Sequence, residues 1–238
     1  MVPEGYKTKD IKPWRFRRML SLLMQPLLPV DPKSFLIAPA FLHESCKYMI
    51  NGYYNCVFSK EQCRSQLMKK WFDIIIGQRG TDFAKNVAER FFQFGWNVKY
   101  EIHVREILKR RSDPKYGNIN VFGDVDVLAW NNTSKRILII ECKHLQSRRI
   151  QGEIAEQLSD YRGQKKQNGK SDDLLKHLNR LDILEKNRGD LCEYLNMPRN
   201  SSIEGWIIFN HKVPMLYMWK NVKSKMKIAA FDEIHQDF

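Results

Sequence analysis

Gly123-Asp124-Val125-Asp126-Val127-Leu128-Ala129 and Ile137-Leu138-Ile139-Ile140-Glu141-Cys142-Lys143 read as two neighbouring strands. Asn131-Asn132-Thr133-Ser134 joins them at a length suited to a hairpin. A strand puts residues i and i+2 on one side, so Asp124 shares a face with Asp126, and Glu141 with Lys143. The run 137–140 is apolar on both faces, which predicts a central strand covered on both sides. A charged pair ending such a strand is costly unless a metal, a partner or a substrate compensates it. Asp126, Glu141 and Lys143 are therefore the first candidates for a functional site.

Outward from this pair, the patterning predicts a sheet with helices on it. Phe83, Val87, Phe91 and Phe94 recur at helical spacing over 81–94, and Gly95 stands at the stop position. A strand over 96–107 and a charged loop over 109–120 follow. Beyond the hairpin, Ile150, Ile154, Leu158 and Tyr161 form the apolar stripe of a helix over about 149–167. Another helix covers 172–186, with Leu174, Leu178 and Leu181 on one face, and a shorter one lies near 190–196. Late strands are expected at 203–209, 215–219 and 227–231. Ahead of all this, residues 1–34 are basic and proline-punctuated, with a short helix near 14–24. Helices are expected over 39–53 and 59–77, the second with Ser59 as N-cap and Gln62 completing a capping box. The fold expected is α/β: a central mixed sheet flanked by helices over 79–238, with a basic helical extension over 1–78.

The chain of 238 residues carries a formal net charge of +13. Such an excess favours a polyanionic partner, nucleic acid before an anionic membrane surface. No run reaches the length needed to span a bilayer. The five cysteines form no CxxC pair, and an odd count argues against a disulfide framework and for a reducing, cytoplasmic setting. His43, Cys46, Cys56 and Cys63 fit no common zinc spacing and read as buried thiols and a stray histidine.

Two carboxylates on neighbouring strands suit a hard cation. Mg²⁺ prefers oxygen ligands and keeps several waters, and Mn²⁺ can substitute. Asp126 and Glu141 would each supply an oxygen and the Cys142 backbone carbonyl a third. Such an ion acidifies a bound water and stabilises charge on phosphate. Lys143, facing the same way, can orient or help deprotonate that water and offset phosphate charge.

At these residues the chain resembles the PD-(D/E)xK nucleases, the restriction-endonuclease-like superfamily, over roughly 80–231. The resemblance implies metal ligation by Asp126 and Glu141, a catalytic role for Lys143, and DNA as substrate. Asp126 lies in the Gly-x-x-Asp-hydrophobic frame of that family, and Asp124 resembles an extra acid of some branches. Gln157 and Tyr161, four apart, are similar to a Gln-x-x-x-Tyr motif whose residues line the site and contact DNA. The family's first helix often carries a glutamate just after its early phenylalanine. Here Ala84 follows Phe83, and Glu89 is a nearby acid that a shifted helix would have to recruit.

Arg148, Arg149, Arg162, Lys165 and Lys166 cluster beyond the site and suit phosphate contacts. A second basic cluster, Lys7, Lys9, Lys12, Arg15, Arg17 and Arg18, interleaves with Trp14 and Phe16. The function expected is Mg²⁺-dependent hydrolysis of DNA by an endonuclease of restriction, defence or DNA processing. A homodimer or a partner subunit would serve cutting of both strands. The alternative is a nuclease-like fold that only binds DNA or a partner protein.

Overall fold

The computed structural model describes residues 26–54, 63, 65–110, 112–113, 117–146, 151–166, 168–218 and 226–235, apart from the side chain of Glu153. The helix expected near 14–24, the Ser59 capping box, Cys56, Arg148, Arg149 and the basic cluster between Lys7 and Arg18 lie outside these residues. The chain divides into two compact units, Met1–Gln78 with Arg148–Ile154, and Arg79–Ser147 with Ala155–Phe238.

Among its described residues the first unit begins with a hairpin, β1 (Leu28–Asp31) and β2 (Ser34–Leu36), in a stretch for which no strand is expected from the sequence. Its turn is local chemistry: Pro32 presets its own backbone angle, and Asp31 Oδ1 accepts from the Lys33 amide at 2.8 Å. Helix α1 (Pro39–Tyr54) follows. The helices expected over 59–77 and 81–94 are one, α2 (Gln66–Gln93), in their described part. Gly77 and Gly80 meet no neighbour within 4 Å where a Cβ would stand. Each costs the helix only about 1 kcal/mol against alanine, and no proline enforces a break. Phe72 and Cys63 are buried among Tyr53, Met68, Trp71 and Ile75, whereas Cys46 is exposed rather than buried.

In the second unit the five-stranded mixed sheet has the order β3-β6-β7-β8-β9. Strand β3 (Asn97–His103) stops short of the expected end, and the chain turns into α3 (Val104–Leu108). The loop after it contains a small hairpin, β4 (Ser112–Asp113) and β5 (Gly117–Asn118). A 3₁₀ turn, Ile119–Phe122, leads into β6 (Asp124–Asn131), which pairs antiparallel with β3 and with β7 (Arg136–Lys143). Helices α4 (Gln151–Ser159), α5 (Asp173–Lys186) and α6 (Arg188–Leu195) intervene before β8 (Ser202–Phe209). The expected strand over 215–219 is instead α7 (Met215–Met218) in its described part. Val213, Met215 and Leu216 are buried while Tyr217 is exposed, a spacing no alternating strand provides. Strand β9 (Met226–Ala230) runs parallel to β8, as β8 does to β7.

Strand β7 is central, and Ile137–Ile140 are fully buried. One face of the sheet packs Val127, Leu138, Ile140, Trp206 and Ile208 against Phe83, Val87 and Phe91 of α2. The other packs Leu128, Ile137 and Ile139 against Leu181 and Leu184 of α5 and Leu191 and Leu195 of α6. Gly205 permits α5 to approach β8, since a Cβ there would stand 2.7 Å from Leu181 Cδ2. Among the described residues no helix is long and apolar enough to cross a membrane.

Candidate active site

The site sits where two strands part. The β6–β7 ladder runs from Asn131 opposite Arg136 to Val127 opposite Ile140 and stops there. Asp126 is the next residue of β6, and its carboxylate replaces the lost ladder: Oδ2 accepts from the Cys142 amide at 2.7 Å. Burial and the negative charge of Glu141 push the Asp126 carboxyl up to about 7. The Cys142 amide, Lys143 and Arg180 pull the other way without outweighing these two causes.

Glu141, 7% exposed at the end of β7, has the opposite surroundings. Lys143 Nζ lies 2.8 Å from its Oε1. Arg180 Nη1 donates to its Oε2, and His177 Nδ1 lies 3.6 Å from the same oxygen. Burial alone would raise the Glu141 carboxyl; Lys143, Arg180 and His177 outweigh it and hold the group down to about 2. Burial opposes the charge on Lys143, but Glu141, Asp173 and Tyr161 outweigh it and keep the ammonium above the usual lysine range. Lys143 therefore faces Glu141 as a cation. Asp173 Oδ2 stands 3.8 Å from it on its other side. His177 is fully buried, and burial brings its imidazole down to about 4.

Tyr161 joins this group, though not from the helix expected to carry it. Helix α4 ends at Ser159, well before residue 167. The reason is Asp172, fully buried, whose Oδ2 accepts from the amides of Arg162 and Gln164 at 3.0 Å each. Its Oδ1 caps α5 through the Leu175 amide at 2.7 Å. Gly163, at φ +73°, lets the chain turn there. Tyr161, 3% exposed, stands edge-to-face on Phe209 with ring centroids 5.6 Å apart. Burial pushes its phenol above the usual tyrosine range, with Lys143 pulling the other way. Gln157, 8% exposed, donates from Nε2 to the Gln146 carbonyl at 3.4 Å. Its contact is with the segment following β7, not with the carboxylates.

The remaining candidates are placed apart from this cluster. Asp124 turns to His103 Nδ1 of β3 at the half-exposed strand end. Glu89 is exposed on α2, and Ala84 is buried in the apolar cluster that covers the opposite face of the sheet. An acid at position 84 would lie among Phe83, Val127 and Ile140 rather than beside Asp126. Arg162, Lys165 and Lys166 rim a cavity of about 560 Å³ with Ser159, Gln164 and Asn168, and Lys166 Nζ pairs with Asp160 at 2.7 Å.

Helix α5 supplies Asp173, His177 and Arg180, none of which was singled out from the sequence. A signal was present: His177 and Arg180 fall in the stripe of Leu174, Leu181 and Leu184, where a polar residue needs a buried partner. Among the described residues no group of three or more His, Cys, Asp or Glu side chains has the arrangement of a metal site. The donors that do meet here, two carboxylates beside a strand backbone, are hard oxygen ligands, and the raised Asp126 carboxyl fits a site that a cation would complete.

The chain matches no curated protein and no solved structure. A model of the anti-phage protein family Upx-like matches residues 1–236, and the chain therefore belongs to the Upx-like anti-phage protein family.

Proposed function

We propose that the chain is a Mg²⁺-dependent DNA nuclease acting in anti-phage defence. The observation that carries this reading is the parting of β6 and β7 at Val127 and Ile140, with Asp126, Glu141 and Lys143 gathered at the opening. Asp126, Glu141 and the Cys142 carbonyl would hold the ion. When bound it supplies an acidified water and positive charge against the scissile phosphate. Lys143 contributes a cation to a phosphate oxygen and orients the attacking water by hydrogen bonding. Tyr161, itself buried, lies near enough to act on the ammonium and helps exclude water from it, which strengthens its field. Arg162 and Lys165 contact neighbouring phosphates and hold the duplex without reading its sequence.

Plasmid and linear DNA incubated with Mg²⁺, Mn²⁺ or EDTA test the reading. The expected result is metal-dependent cleavage that falls at least about a hundredfold in Lys143→Ala, the scale of a lost transition-state donor. Cleavage unchanged by that substitution would remove the site from the reaction.

A second reading, a nuclease-like fold that binds DNA without cutting it, is favoured by Ala84 and by the Arg180 guanidinium on Glu141. It expects salt-sensitive DNA binding with no cleavage under any metal, and binding undiminished in Asp126→Asn with Glu141→Gln.

A further inference from the structure

Arg180 is the charge in the site that the nuclease reading leaves without a task. Its side chain is 10% exposed. Nη1 donates to Glu141 Oε2, and Nε donates to the Phe122 carbonyl at 2.9 Å. The chain passes over the group at Gly123, where a Cβ would stand 3.8 Å from Nη2. One planar guanidinium thus ties α5 to the end of β7 and to the turn that feeds β6. Those two strand ends carry Glu141 and Asp126. A guanidinium holds two acceptors at fixed angles, which an ammonium cannot do.

The charge count follows from the same contacts. Glu141 faces two cations, Lys143 and Arg180, while Asp173 stands 3.8 Å from Lys143. A divalent ion must therefore share Glu141 with a guanidinium and an ammonium, and it brings further positive charge beside them. An anionic substrate phosphate would offset that added charge.

We infer that Arg180 is a positioning residue that competes with the divalent ion for Glu141 and so makes metal loading depend on a bound DNA phosphate. This rests on the nuclease reading. Arg180 indexes Glu141 against β6 and lowers the site's affinity for free metal. Metal and DNA then favour each other's binding, each by the same factor.

Mn²⁺ alone is the probe, with binding followed by electron paramagnetic resonance on the full chain. A phosphorothioate duplex that resists cleavage is present or absent. In the unsubstituted protein the duplex is expected to tighten Mn²⁺ binding about tenfold, the scale of an ordinary coupling between sites. Arg180→Gln is expected to bind Mn²⁺ alone about tenfold more tightly, to lose most of the gain from DNA, and to cut DNA more slowly. Arg180→Lys keeps the charge and is expected to bind Mn²⁺ alone as the unsubstituted protein does. A purely structural role would weaken metal binding and cleavage together in Arg180→Gln. That result, or equal Mn²⁺ affinity in the two proteins, overturns the inference and leaves the nuclease reading intact. Should Arg180→Gln not fold, Mn²⁺ affinity of the unsubstituted protein unmoved by the duplex overturns it instead. No Mn²⁺ binding under either condition overturns both readings.

Discussion

Asp126, Glu141 and His177 share one small volume and titrate in different ranges because their neighbours differ. The Asp126 carboxyl, raised to about 7, keeps its proton in the folded chain where the unfolded chain has released it. Stability must fall as pH rises from the ordinary aspartate range, near 4, toward 7. Asp126→Asn stays neutral and its Oδ1 can still accept from the Cys142 amide. It is expected to raise the Tm by several degrees at pH 8 and to leave it unchanged near pH 4, read by thermal melts at both. Glu141 works in the other direction. Its carboxyl is held down to about 2, so its contribution is present above the ordinary glutamate range and is lost as pH falls toward 2. His177, brought down to about 4, adds to the same loss, which begins as pH falls below about 6.5. Acid melts of His177→Gln should show a shallower fall between pH 6.5 and 4 than those of the unsubstituted chain.

Individual elements owe their ends and spacing to contacts from elsewhere in the chain. The end of α4 is the clearest instance. The apolar stripe continues to Tyr161, but Asp172 draws the amides of Arg162 and Gln164 out of helical pairing. Asp172→Ala leaves three amides without this acceptor. It is expected to cost about 2 kcal/mol, several degrees in Tm, and to weaken DNA binding by loosening the turn that carries Arg162 and Lys165. The spacing between α5 and β8 is set by a missing side chain. Gly205→Ala places a methyl 2.7 Å from Leu181 Cδ2 and is expected to cost about 1–3 kcal/mol in chemical denaturation. Leu181→Ala combined with it should cost less than the two changes summed, because the cavity of one accepts the methyl of the other. The strands at 124–131 and 136–143 were legible because alternation and an unbroken apolar run are local signals. Helix α7 was not, because its burial is set by the cluster around Phe209 and Met226 rather than by its own period.

At the scale of the whole molecule the charge of +13 is the feature on which the proposed encounter with DNA rests. Affinity for duplex DNA should fall steeply with salt. Combined alanine substitution of Arg162, Lys165 and Lys166 should reduce the slope of log affinity against log salt by about 2. The reduction is less than three phosphate contacts would give, because Lys166 already pairs with Asp160 at 2.7 Å. Measurement across several salt concentrations checks the slope. Membership in an anti-phage family fits the proposed encounter with foreign nucleic acid through charge.

What the sequence determined by itself was periodic or local: the central strand, the apolar stripes of α2 and α5, and the acids and lysine at one strand end. Spacing along the chain is enough to place such residues on a common face. What only the tertiary structure decided was the company those residues keep. Arg180 and His177 reach Glu141 from a helix far along the chain, Asp124 turns away to His103, and Ala84 faces the opposite side of the sheet. Each depends on how helices cross the sheet, which no local pattern encodes. Burial in that arrangement raises both carboxyls, and the cations around Glu141 then set it so far from Asp126 in its hold on a proton.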